Sequence, residues 1–143
     1  MSKLLARLSD AARSGVFWTH GDAEVRDATR GSALDVVHID LRPVTTKAAL
    51  LDAFSRALGF PHWFGGNWDA LEDCLGDLSW RNGEGVVLLL EGGAGIPTDD
   101  LGVLRDILES CAQSWAARGK PFFAAFVGDD NPMALPELFR RRA

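Results

Sequence analysis

A chain of 143 residues with 47% apolar and 24% charged side chains is long enough for one domain with a buried core, and its composition is that of a globular protein. Its formal net charge of −5 argues against nucleic acid or an anionic membrane as the direct partner, and it leaves a basic protein open. Cys74 and Cys111 have neither CxxC spacing nor a neighbouring His pair, so they read as small core residues rather than zinc ligands or a disulfide.

In chain order, residues 3–13 place Leu4, Leu5, Leu8 and Ala12 at the spacing of an amphipathic helix. Asp10 and the lack of a small-residue cleavage site set this start apart from an export signal, so the cytoplasm is the expected location. No apolar run reaches membrane-spanning length. GVFWTH at 15–20 is a strand candidate, and residues 22–30 fit a short helix with Asp22 as N-cap and Gly31 beyond its end. ALDVVHIDL at 33–41 predicts a strand. Thr45 or Thr46 then caps a helix that runs to Leu58 and stops at Gly59. After the loop FPHWFGG, Asn67 caps a helix over 68–78. GVVLLLE at 85–91 and PFFAAFVG at 121–128 are continuous apolar runs, the kind buried on both faces of a sheet. Between them a long helix starts at Asp99 or Asp100 and ends near Arg118, before Gly119. Pro132 and Pro136 punctuate a tail whose last basic residues, Arg140, Arg141 and Arg142, are expected at a solvated end.

Strands alternating with helices predict an α/β fold with a largely parallel sheet built from 35–41, 85–91 and 121–127, plus an edge strand near 15–19. No GxGxxG opens a helix, and no GxxxxGK(S/T) is present, so no nucleotide cofactor is expected.

The stretch FPHWFGGNWDALEDCL at 60–75 carries the functional signal. On a helix over 68–78, Trp68, Leu71, Cys74, Leu75 and Leu78 share one stripe, which turns Asp69, Glu72 and Asp73 outward on another. No basic residue lies between Arg56 and Arg81 to neutralise them. Like charges at these spacings cost a few tenths of a kcal/mol per pair, and only Asp69 sits close enough to the helix N-terminus to recover some of that cost. A solvated acidic face is the plain structural reading. Against it stand the large aromatics of the preceding loop and the flexible Gly65 and Gly66, features that suit a protein interface.

This stretch, with the helix before it, resembles the signature of the barstar family of ribonuclease inhibitors. The family pattern falls on Phe60-Pro61, Trp63-Phe64, Gly65, Asn67, Asp69-Ala70-Leu71 and Asp73-Cys74-Leu75. The resemblance extends from 33 to 127, with residues 1–32 and 128–143 as additions to that core within a single domain, 1–143. It implies a barstar-like sheet of three to four parallel strands packed with helices. It also implies a partner: a basic, barnase-like extracellular ribonuclease whose active site is plugged by the loop and second helix. Asp73 would be the central anchor and Asp69 would meet a neighbouring cation. Trp63 would stack on the catalytic region, and Gly65 and Asn67 would make polar contacts. Glu72 stands where the archetype has a Trp, and Ser114 falls near an acid of the archetype, so the target differs in at least those contacts. The alternative is a regulatory protein of the same scaffold that binds a basic partner other than a nuclease.

Three other chemistries fit less well. His38, within a strand, reads as structural. His62 with Asp69 and Asp73 falls short of a closed metal shell. A paired-carboxylate hydrolase needs a water-excluding cleft, which an outward helix face does not supply. Trp18, Trp80 and Trp115 read as packing residues, and no enzymatic activity is expected.

Overall fold

In the computed structural model, which describes residues 2–139, four apolar segments pair into one parallel sheet, with Arg140, Arg141 and Arg142 outside the described residues. The elements in chain order are α1 (Lys3–Leu8), a 3-10 turn (Ala11–Arg13), β1 (Gly15–Thr19), α2 (Ala23–Thr29), β2 (Asp35–Asp40), α3 (Lys47–Leu58), α4 (Trp68–Asp77), β3 (Val86–Glu91), α5 (Thr98–Ala117) and β4 (Phe122–Val127). The strand order is β1-β4-β3-β2, with Val37 opposite Leu88, Leu88 opposite Ala124 and Phe17 opposite Ala125. The α/β architecture with a largely parallel sheet expected from the sequence is therefore present, and all three strand pairs are parallel.

Period-two alternation sends each strand's side chains to two cores. Val37, Ile39, Leu88, Leu90, Ala124 and Phe126 pack against α3, α4 and α5 through Leu50, Phe54, Leu71, Leu75, Leu104 and Leu108. Val87, Leu89, Phe123 and Ala125 point the other way, onto Leu8 of α1 and Val25 of α2. This explains why β3 and β4 are apolar throughout: a helical layer covers each face. The second layer comes from residues before β2, so the N-terminal segment does more than add an edge strand. Each fully buried Leu or Phe contributes roughly 1.5–3 kcal/mol relative to exposure.

Local details depart from the sequence expectations in three places. The helix expected over 3–13 ends at Leu8, because Asp10 accepts a bond from the Ala12 N–H at 3.0 Å and starts a separate turn. A short carboxylate that binds its own backbone two residues on competes with helix propagation. The long helix starts at Thr98 with Pro97 at its N-cap, one residue before the predicted aspartates. Asp99 and Asp100 occupy its first turn, where the helix dipole favours anions. The C-terminal tail also covers the outer edge of β1. Trp18 N–H donates to Pro136 O at 2.9 Å, Leu138 N–H donates to Trp18 O at 2.8 Å, and Leu138 is fully buried. An open strand edge is thereby blunted.

Arg81 ties the connection after α4 to β2. Its Nε and Nη2 donate to the two oxygens of Asp35 at 2.6 and 3.1 Å, a forked geometry that a Lys could not reproduce. No helix among the described residues is long and apolar enough to cross a membrane.

Candidate functional site

The loop 59–67 is shaped by its own sequence. Gly59 takes the left-handed conformation (φ 64°) that ends α3, and the Phe60 N–H donates back to Ser55 O at 3.0 Å. Phe64 N–H closes a turn onto Pro61 O at 3.0 Å, and Gly66 (φ 68°) redirects the chain into α4. Phe60, Phe64 and Trp80 pack edge to face, with Phe60 centroids 4.9 Å from Phe64 and 6.1 Å from Trp80. Trp80 is anchored further by its Nε1, which donates to Leu58 O at 2.9 Å. Trp63 takes no part in these ring pairs and stays 54% exposed. A large apolar ring thus stands in solvent beside a fixed aromatic cluster, and tryptophan is the residue type most enriched among the anchors of protein interfaces.

Asn67 caps α4, its Oδ1 accepting from the Ala70 N–H at 2.8 Å. That oxygen is committed within the chain, so only the Asn67 amide nitrogen remains for an outside contact. Gly65 is exposed, and a Cβ there would meet nothing nearer than Asn67 Nδ2 at 3.4 Å, so the residue is not required by close packing. Along α4, Leu71, Cys74 and Leu75 are fully buried, and Trp68 is half-buried with Lys47 Nζ 5.3 Å from its ring. Asp69, Glu72 and Asp73 are exposed, so the structure brings the three acids onto one outward face next to Trp63's loop. Among the described residues, neither Asp69 nor Asp73 has a hydrogen-bond or ion-pair partner. Glu72 differs: its Oε2 accepts from Ser110 Oγ on α5 at 2.9 Å, so it is tethered rather than free at a rim.

α5 holds α4 through donors that the sequence-based expectations did not include. The last turn of a helix leaves carbonyls without intrahelical donors. Here Trp115 Nε1 donates to Leu75 O at 3.0 Å, and Arg118 Nη2 donates to Gly76 O at 2.7 Å. Arg118 also lies over the Trp115 ring at 5.0 Å. One signal was available in the sequence. The residue that ends α4 in the left-handed region is Leu78 (φ 46°), not a glycine, and α4 has no basic residue in its last turn. A helix end so poorly finished locally needs donors from elsewhere.

Ser114 is an exposed, uncharged position on α5. His62 is exposed, and among the described residues no group of three or more His, Cys, Asp or Glu is arranged to hold a metal ion. His38 Nε2 lies 2.7 Å from Glu91 Oε1 on the neighbouring strand, a structural contact.

Both cysteines are buried, as the core stripe requires. Burial, reinforced by the Glu72 carboxylate, pushes the Cys111 thiol up to about 12, and burial followed by Asp73 and Asp77 raises Cys74 as well. Since the thiolate is the reactive form, native protein at pH 8 is expected to resist iodoacetamide while urea-unfolded protein is alkylated at both sites. Mass spectrometry of the two time courses checks this. Rapid single alkylation of the native protein would contradict the packed role.

The family model described as Barstar (barnase inhibitor) matches residues 34–127. No curated protein matches the chain. Among solved structures, the crystal structure of Cdc6p from Pyrobaculum aerophilum is similar with a TM-score of 0.51 at 14% identity, covering 82% of this chain and 32% of that one. The chain thus spans about a third of that protein, and the likeness is one of fold alone.

Proposed function

The chain belongs to the barstar family, and from that premise we propose that it binds a basic ribonuclease of the secreted microbial type and blocks its active site with the outward face of α4 and the loop before it. The observation that carries this reading is the pair of exposed, unpartnered carboxylates, Asp69 and Asp73, on a helix held by its neighbours beside the exposed Trp63. A ribonuclease active site attracts phosphate, so rigid carboxylates can take the phosphate positions. Asp73 is the central anchor, Asp69 pairs with a second cation, and Trp63 supplies the apolar contact. The Asn67 amide and the Gly65 backbone complete the rim. In this role the protein is an inhibitor rather than an enzyme. It acts in the cytoplasm of the cell that makes the nuclease, with the region around 34–127 as the binding core. It requires no cofactor.

A second reading is supported by one feature. Glu72, in the place of an aromatic contact, presents a third acid that Ser110 holds in position. A basic protein other than a nuclease would suit that face equally well.

Affinity capture on the full chain from the native lysate and medium separates the two. The first reading expects a small basic ribonuclease that the protein inhibits at equimolar ratio, with an association rate that falls as salt screens the attraction. Recovery of non-nuclease partners alone, with no inhibition of the organism's basic ribonucleases, rejects it in favour of the second.

A further inference from the structure

A parallel sheet opens a crevice beyond the carboxyl ends of its strands where the outgoing connections leave toward opposite faces. Here β1 leads to α2, which packs Val25 on one face, and β3 leads to α5, which packs Leu104 and Leu108 on the other. β4 lies between β1 and β3. A cavity of about 590 Å³ opens at this point, within the range that holds small organic ligands.

Its apolar walls include Trp18, Leu101, Phe126 and Met133. Trp18 is fixed in orientation, because its Nε1 donates to Gly128 O at 3.0 Å. The chain leaves β3 through Gly92 (φ 83°) and Gly93 (φ 109°), conformations that exclude most side chains. A Cβ on Gly93 would lie at ordinary contact distance from two residues that line the cavity, 3.7 Å from Ile96 and 4.0 Å from Leu101, so the backbone conformation rather than crowding calls for glycine there. Among the described residues, the charged groups lining the cavity are Asp129 and Asp130, and no cation lines it. Asp129 Oδ1 is 3.4 Å from His20 Nε2, and Asp130 has no ion-pair partner among the described residues.

We propose that this cavity binds a compact hydrophobic amine, its ring body against Trp18, Leu101 and Phe126 and its ammonium toward Asp129 and Asp130. The apolar walls call for an apolar body. The two carboxylates repel anions and favour a cation at one end. None of the lining residues belongs to α4 or to the loop before it, so the site is separate from the partner face.

The test uses the full chain, labelled with ¹⁵N and titrated with three probes of matched ring: tryptamine, indole and indole-3-acetate. Tryptamine is expected to shift the amides of Gly92, Gly93 and Gly128 and the indole N–H of Trp18. It should bind roughly three- to fivefold tighter than indole, the scale of a solvent-exposed ion pair. Indole-3-acetate should bind more weakly than indole. In the double variant Asp129→Asn/Asp130→Asn, whose changes lie on exposed positions, tryptamine should fall to the level of indole. Absence of shifts at these groups, equal binding of the three probes, or an amine preference that survives the double variant overturns the proposal.

Discussion

Replacing Asp73 with alanine is expected to weaken partner binding by about 2–5 kcal/mol while leaving the melting temperature equal or slightly higher. The size is that of truncating one member of a desolvated charge pair, a range drawn from interfaces that include barnase and barstar themselves. Most of the loss arises because the partner's buried cations are left without a counter-charge. It should therefore appear mainly in the dissociation rate, as is usual at an interface centre. Stability moves the other way for a local reason. Asp73 lies four residues after Asp69 and four before Asp77 on α4, and like charges at that spacing repel by a few tenths of a kcal/mol. It has no partner among the described residues to lose. Asp69→Ala should be next in size, and Glu72→Ala should cost less binding while also releasing the Ser110 tether to α5. Binding kinetics at two salt concentrations, beside thermal melts, distinguish the cases. Unchanged binding by Asp69→Ala/Asp73→Ala would falsify the proposed face, and a large drop in melting temperature would assign these acids to the fold instead.

The second large effect lies on α5. Trp115 is 6% exposed, packs its ring 5.7 Å from Phe122, and donates to the Leu75 carbonyl at the end of α4. Trp115→Ala removes a large core side chain and should cost about 3–5 kcal/mol. Trp115→Phe retains most of the packing but leaves the Leu75 carbonyl without its donor in a buried setting, at about 1–3 kcal/mol. For a chain of 143 residues, each kcal/mol corresponds to a shift of roughly 3 °C. The alanine variant should thus melt some 10 °C or more below the parent, with the phenylalanine variant between them. If both variants melt within a few degrees of the parent, α5 does not hold α4 through the Trp115 indole.

Much of this protein was determined by sequence alone, wherever the cause is local. The 3.6-residue period of Leu71, Cys74, Leu75 and Leu78 turns Asp69, Glu72 and Asp73 outward whatever else the chain does. Asn67 and the Thr45-Thr46 pair announce their helices because a short oxygen at the cap satisfies a free backbone N–H, and the structure selects Thr46 of the two. Gly59 and Gly119 mark helix ends because the left-handed conformation suits them. Continuous apolar runs at β3 and β4 signalled a parallel sheet covered on both faces. Between residues 3 and 13 apolar spacing persists through Asp10, a carboxylate that caps a new turn, so periodicity alone extends the helix past its end at Leu8. What only the tertiary structure decided depends on pairs far apart in the chain. The strand order, the covering of the second face by α1 and α2, and the tail along β1 are of this kind. So are the donors that Trp115 and Arg118 offer to α4, the hold of Ser110 on Glu72, and the cavity beyond β1, β3 and β4. Periodicity and capping report only neighbours within about one helical turn. A carbonyl at Leu75 and an indole at Trp115 acquire their relation when α4 and α5 pack: the unfinished end of α4 calls for a donor, and nothing in either segment says which one.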